Sequence, residues 1–361
     1  MAAPKLKASE LVAALYEDPE QCAKVAKLRY VSPDEPGLTR LRKGRGFTYR
    51  DSGGVTVVDV KIRDRITKLA IPPAWKQVWI ATWPDAHLLA VGEDERGRRQ
   101  YIYHERWRSI RDQLNFYRLI GFGDSLPLVR ADVEKQLRRR AFDADRVLAT
   151  MLRIMDLTGL RVGNEVYAEE NDSYGLSTLT KRHVRVTGSR VDFDFPAKSG
   201  KQAVVSLKDP GVARVVQRLL DQRGRRLFTV GGAAIGSDEI NARLAELTGA
   251  HFTAKDFRTW IGSATAFGVL RARLRSDPAQ SDEIVLSAVD AASERLGNTR
   301  TVCRAHYVHP DVVDGFTSGE LARYLQGRRP RGSNRLDVDE KLMLGFLSAT
   351  LESRAGELAV A

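Results

Sequence analysis

The sequence predicts an α+β protein: a small, mainly β N-terminal domain over residues 1–105, then a mainly α domain over 106–361 carrying a small β insertion. Three observations predict it. Short β-rich runs broken by Pro and Gly fill the stretch from Val31 to about Tyr103. From about Glu105 apolar residues recur at helical spacing, as in Val147, Leu148, Met151, Leu152 and Met155. Between His183 and Leu207 the pattern reverts to alternation.

Residues 1–30 read as helical, because Leu11, Val12, Leu15 and Tyr16 fall on one face. In the β-rich stretch, 46–49, 55–58, 78–81 and 88–91 read as strands, with Asp51-Ser52-Gly53-Gly54 as the turn between the first two. Some helix is expected among them. The stripe at Val147–Met155 belongs to a helix that ends at Thr158-Gly159, and Arg161-Val162-Gly163-Asn164-Glu165 is expected to start the next. The insertion places strands at 183–186 and 191–195, joined by Thr187-Gly188-Ser189, and at 203–207, beyond the turn 197–201. Helices resume after Pro210. Ser237 is expected to cap a helix that stops at Thr248-Gly249, and Thr253 with Asp256 resembles a capping box opening the next. Residues 281–296 read as a helix closed by Gly297. The basic stretch 326–335 reads as a linker to a last helix around 337–351, and no internal repeat is present.

Hydrophobic residues make up 43% of the 361 and charged residues 29%, ordinary for a globular protein with a sizeable core. The net charge is +12, which favours a partner rich in phosphate, nucleic acid first among them. Cys22 and Cys303 are the only cysteines and have no metal-ligand spacing, so two reduced thiols are expected rather than a disulfide framework or zinc site. Residues 1–11 do not read as a signal peptide, and no stretch approaches the ~18 apolar residues that span a bilayer. A cytoplasmic, nucleoid-associated protein is expected. Gly231-Gly232-Ala233-Ala234-Ile235-Gly236-Ser237 lacks the lysine of a nucleotide-binding loop, and no carboxylate or cysteine cluster completes a metal site around His306 and His309. The expectation is chemistry without ATP, metal or other cofactor.

Five side chains supply an inventory for phosphodiester transesterification. That reaction passes through a crowded state with extra charge on the non-bridging oxygens, and an arginine's planar fork bonds two such oxygens while staying charged. Arg161 and Arg258, each expected near a helix start, fit that role. Tyr307 is the candidate nucleophile; its phenol is weak at pH 7, and Arg304 with the two arginines would lower its pKa. Departure of the 5′ oxygen needs a proton, and Lys198 on its turn is placed to give one, with Lys201 a close competitor. Asn298 would donate a neutral hydrogen bond to a non-bridging oxygen, or form a helix C-cap with Gly297, or both.

The residues that carry the inventory also carry a resemblance. Gly97-Arg98-Arg99-Gln100-Tyr101-Ile102-Tyr103-His104, Thr158 to Glu165, Ala197 to Lys201, Thr253 to Trp260 and Leu296 to Pro310 together resemble a bacterial type IB DNA topoisomerase of the small, poxvirus-like kind, over nearly the whole chain. The resemblance implies a catalytic domain of the type IB topoisomerase and tyrosine recombinase kind. It places the family's catalytic arginines at Arg161 and Arg258, its lysine at Lys198 and its nucleophile at Tyr307. Eukaryotic and viral members usually have histidine where this chain has Asn298, a change that keeps a hydrogen bond and loses a charge. The implied partner is duplex DNA, held in a two-lobed clamp by a monomer, with no membrane involved. Arg98, Arg99, Gln100, Tyr101 and Tyr103, a segment that lies in the major groove in related enzymes, and Lys255 are the implied DNA contacts. The alternative is a tyrosine site-specific recombinase. Recombinases share Thr-Gly-Leu-Arg, but typically carry His-x-x-Arg where this chain has Lys255-x-x-Arg258, and lack the 97–104 pattern.

Overall fold

The computed structural model describes residues 8–276, 281–328, 332 and 335–360. The chain divides into two compact units, residues 1–118 with 351–361, and residues 119–350.

The first unit opens with α1 (Ala8–Glu17) and α2 (Pro19–Val25). The helical reading of 1–30 is therefore split at Asp18, whose carboxylate accepts the Gln21 N–H and caps α2 while Pro19 takes the first helical position; residues 1–7 lie outside the described residues. A five-stranded antiparallel sheet follows, in the order β2-β1-β3-β4-β5. Its members are β1 (Leu38–Lys43), β2 (Gly46–Arg50), β3 (Lys76–Ile80), β4 (Leu88–Glu93) and β5 (Arg99–Tyr103), with α3 (Val60–Lys68) between β2 and β3. Ile66 of α3 packs with Leu38, Val78, Ile80 and Ala90 on one face of the sheet. β1 was not evident in the sequence, because its outer half, Arg40 to Lys43, carries cations among few apolar residues. The strand expected at 55–58 does not form. That stretch makes a single bridge between Thr56 and Arg50, and Val55 and Val58 stay 65% and 78% exposed, so no burial rewards a ladder there.

From Glu105 the chain is helical as expected, in α4 (Glu105–Arg138), which begins in the first unit and continues into the second. The second unit continues with α5 (Ala144–Thr158), capped by Asp143 and closed by Gly159 in the left-handed conformation, and α6 (Glu165–Asn171). The insertion is a three-stranded antiparallel sheet, β6 (Val184–Thr187), β7 (Arg190–Pro196) and β8 (Gln202–Lys208), in that order. Its alternation buries Val191, Phe193 and Phe195 and leaves Asp194 exposed. Asp209 caps α7 (Pro210–Leu220). The glycine-rich run forms a tight hairpin, β9 (Thr229–Val230) and β10 (Ala233–Ala234), with Gly231 and Gly232 at φ +58° and +88°.

Next comes α8 (Ser237–Thr248), where one expectation shifts by a residue. Gly236, not Ser237, is the N-cap, because the Glu239 carboxylate accepts the Gly236 N–H at 2.8 Å and draws Ser237 into the helix. α9 (Ala254–Ser276) opens on the expected Thr253–Asp256 cap, the Asp256 carboxylate accepting the Thr253 N–H at 2.7 Å. It buries Phe257, Trp260, Phe267 and Leu270 and packs on α10 (Asp282–Leu296). α11 (Arg300–His306), α12 (Pro310–Thr317) and α13 (Glu320–Leu325) follow. Much of the linker read at 326–335 lies outside the described residues. α14 (Val338–Val360) starts where expected but runs past 351. Asp337 and Glu340 cap it reciprocally, at 2.8 and 2.9 Å.

Candidate active site

In the second unit, the ends of α5 and α10, the start of α9 and the β7–β8 hairpin surround a cleft of about 600 Å³. Arg161, Lys198, Lys201, Arg258 and Asn298 all line it.

Arg161 does not stand at a helix start. α6 begins only at Glu165, and residues 161–164 run as irregular backbone. Gly163 is the reason: its φ of +104° breaks any helix there, and its backbone crosses that of Gly175 so closely that a Cβ on Gly175 would meet the Gly163 Cα at 2.5 Å. The crossing is tied by Leu176 N–H to Arg161 O at 2.8 Å and Ser177 N–H to Val162 O at 2.6 Å. Arg161 is thus held by neighbouring backbone rather than by a helix.

Arg258, just past the first turn of α9, is 4% exposed. One terminal nitrogen donates to the Gly159 carbonyl and the other to the Leu296 carbonyl at 3.1 Å, so the guanidinium bridges the C-terminal ends of α5 and α10. Burial, and then the like charge of Arg161, pull it below the ordinary arginine value. Two cations driven together in a buried site form a pocket suited to an anion.

Asn298 takes the helix-capping part expected of it. Gly297 is left-handed, its N–H reaches Glu294 O at 3.2 Å, and Asn298 N–H reaches Ser293 O at 3.0 Å, the two bonds of a Schellman close on α10. The side chain then accepts from Arg161 through Oδ1. Its Nδ2, like Arg258 Nε, is a buried N–H donor with no hydrogen-bond partner among the described residues. Buried donors are almost always paired, and an acceptor such as an oxyanion would satisfy each.

Tyr307 caps α11 and is half-buried, and Arg258 Cζ lies 4.7 Å from its ring centroid. Burial pushes the phenol up, but Arg258, then Arg161 and Lys255, hold it below the ordinary tyrosine value. Lys255 joins the two arginines in this; Arg304, expected to do so, is exposed, as Lys255 is. Lys198 opens the short helical turn Lys198–Gly200 between β7 and β8, exposed, with no side-chain hydrogen bond or ion pair to the described residues.

The residues expected to contact DNA, all but Lys255, lie in the first unit. Asp94 organises the β4–β5 turn there, accepting from Arg98 at 2.8 Å and Gln100 at 3.0 Å. On β5, Arg99 is exposed, and Tyr101, 45% exposed, stacks on Tyr103 at 5.9 Å, as alternation required. Lys255 is exposed on α9. Sequence reasoning missed the Gly159 and Leu296 carbonyls and the Gly163–Gly175 crossing; neither a carbonyl acceptor nor a glycine leaves a side-chain signal.

The family described as Eukaryotic DNA topoisomerase I, catalytic core, matches residues 104–319, more than half the chain. This chain belongs to the type IB DNA topoisomerase family. The description Bacterial DNA topoisomerase IB, N-terminal domain, matches residues 46–94 of the same topoisomerase. Similar proteins include DNA topoisomerase 1B of Acanthamoeba polyphaga mimivirus, 29% identical over 289 residues, 75% of this chain and 85% of that one. DNA topoisomerase 1B of Vaccinia virus (strain Copenhagen) is 27% identical over 126 residues, 34% of this chain and 39% of that one. DNA topoisomerase 1 of Schizosaccharomyces pombe is 26% identical over 199 residues, 52% of this topoisomerase and 22% of that one. Among the described residues, no helix is long and apolar enough to cross a membrane, and no three His, Cys, Asp or Glu side chains group as metal ligands.

Proposed function

We propose that this topoisomerase relaxes supercoiled duplex DNA without ATP or metal, through a transient single-strand break held as a 3′-phosphotyrosyl ester. The Tyr307 phenolate oxygen attacks the scissile phosphorus, the bond from phosphorus to the 5′ oxygen breaks, and Lys198 gives that oxygen its proton. Arg161, Arg258 and Asn298 hold the non-bridging oxygens as charge builds on them. The broken strand rotates about the intact one. Attack by the 5′ hydroxyl on the phosphotyrosyl link then reverses the chemistry, so the ester conserves the bond energy and no nucleotide is spent.

The observation that carries this reading is the pair of buried donors, Arg258 Nε and Asn298 Nδ2, without a hydrogen-bond partner among the described residues. They line the same cleft as Arg161 and Lys198, and Tyr307 lies against Arg258. We assign residues 106–361 as the catalytic domain. Residues 1–105 are assigned as a domain that contacts the duplex through Arg98, Arg99, Gln100, Tyr101 and Tyr103, joined by Lys255 from α9, in a protein that acts as a monomer in the cytoplasm, at the nucleoid.

The test is relaxation of a supercoiled plasmid without recombination sites, in EDTA and without ATP. A 5′-labelled strand is expected to enter a slow, protein-linked band on a denaturing gel. Tyr307→Phe is expected to abolish both signals while keeping duplex binding. An inert wild-type protein, or an adduct surviving in Tyr307→Phe, defeats the reading.

A further inference from the structure

Tyr307 is anchored twice through its backbone. Within its own segment, the Tyr307 and Val308 N–H groups both donate to the Cys303 carbonyl, at 2.9 and 3.1 Å. The second anchor comes from α9. The Ser263 hydroxyl donates to the Tyr307 carbonyl at 3.3 Å and accepts the His309 N–H at 2.9 Å, so one oxygen spans the chain on both sides of Val308. Ser263 is fully buried. Gly262, the residue before it, lets this approach happen: a Cβ there would stand 2.4 Å from the Tyr307 carbonyl oxygen. Beyond the anchor, His309 Nδ1 accepts the Asp311 N–H at 3.2 Å as the cap of α12, which fixes the exit of the same segment.

α9 therefore carries two things at once. Arg258, near its start, lies against the Tyr307 ring, and Ser263, further along the same helix, grips the Tyr307 main chain. A helix is a stiff ruler at this range.

We propose that Ser263, with Gly262 as its clearance, is a positioning residue for the nucleophile: it fixes the Tyr307 main chain on the helix that bears the phosphate-holding Arg258. The inference rests on Tyr307 being the nucleophile. Ser263 touches no reacting atom. Its hydroxyl sets where the phenol pivots, and so how often the oxygen reaches in-line distance. Near-attack geometry of this kind is worth large factors in rate, since a displacement of about 1 Å costs roughly a hundredfold.

The experiment is single-turnover cleavage of a 5′-labelled duplex by the full-length protein, comparing wild type, Ser263→Ala and Gly262→Ala. The rate constant for adduct formation reads positioning, and the endpoint reads the folded, active fraction. Ser263→Ala is expected to lower the rate constant by roughly tenfold, with the endpoint and the affinity for uncleaved duplex unchanged. Gly262→Ala, which pushes the Tyr307 carbonyl away, is expected to lower the rate constant further. A 5′-bridging sulfur, which leaves without a proton, is expected not to rescue Ser263→Ala, because the defect lies in attack and not in departure. A wild-type rate constant in Ser263→Ala overturns the proposal, as does a loss confined to the endpoint or full rescue by the sulfur substrate. Failure of the functional reading looks different: there, wild type itself forms no adduct, or Tyr307→Phe still does.

Discussion

On one side of the cleft, Arg258 and Asn298 are tied to their surroundings: the guanidinium bridges two helix-end carbonyls, and the amide closes α10 while accepting from Arg161. On the other, Lys198 stands exposed on a hairpin turn with no side-chain partner among the described residues. The difference matches the two tasks. Stabilising charge on a phosphorane needs donors already aimed and desolvated, because reorganisation at the moment of reaction would consume the gain. Delivering a proton to a leaving oxygen needs a group that reaches the strand once it is bound, and an ammonium on a long flexible stem does that. The wired side should therefore tolerate substitution worst, in both catalysis and stability.

Arg258→Ala breaks the comparison at its strongest point. It is expected to lower the single-turnover cleavage rate by about a thousandfold or more. It also strands the Gly159 and Leu296 carbonyls, at a cost of about 1–3 kcal/mol in unfolding free energy. Arg258→Lys should not restore the rate, because an ammonium cannot bridge both carbonyls and still present a donor to the phosphate. Equal cleavage by the lysine variant would mean that charge alone, and not the fork, is used.

Lys198→Ala tests the other side. Cleavage should slow by about a hundredfold to a thousandfold, with no change in thermal stability, since the side chain holds nothing in place. A 5′-bridging sulfur should return most of the rate. Rescue of Lys201→Ala instead would move the proton donor to the neighbouring lysine, which lines the same cleft.

How much of this was legible in the sequence depends on what kind of contact does the holding. The insertion sheet was plain, because Val191, Phe193 and Phe195 alternate with polar residues and only a half-buried strand rewards that pattern. The α9 cap was plain because Thr253 and Asp256 sit at capping distance in the chain. The position of Arg161 was misread as a helix start. Nothing local announces that Gly163 takes φ +104°, or that Gly175 crosses it, because the crossing is a long-range event between two residues without side chains. The shift of the α8 cap to Gly236 has a similar cause: glycine offers no side-chain signal, and Glu239 does the capping. The field of Lys255 at the phenol was not foreseen, because it depends on where α9 brings that lysine.

Asn298→His sharpens the wired side by asking which part of the amide matters. The smaller effect expected, within about tenfold of wild type, follows because an imidazole N–H can replace the Nδ2 donor toward an oxyanion. What imidazole cannot do in its protonated form is accept from Arg161, so in the variant the bond from Arg161 to position 298 should weaken as pH falls, whereas the wild-type amide keeps accepting. The variant is therefore expected to show an acid-side loss of cleavage that wild type lacks. A pH-independent ratio between the two proteins would mean that the link to Arg161 carries no part of the rate.

Lys255→Ala is the mildest probe, and it separates charge from contact. Lys255 is exposed on α9, yet it is among the cations that hold the Tyr307 phenol below its ordinary value. Removing it should let that value rise a little, since burial pushes the other way and Arg258 and Arg161 remain. If attack draws on the phenolate, the cleavage rate climbs with pH until the phenol is ionised. The variant should then trace the same climb displaced to higher pH, with its plateau unchanged. Solvent screening at an exposed ammonium keeps the displacement small and makes it shrink further as salt is raised. A lower plateau with no displacement would instead mean that Lys255 acts by holding the DNA rather than by its field at the phenol.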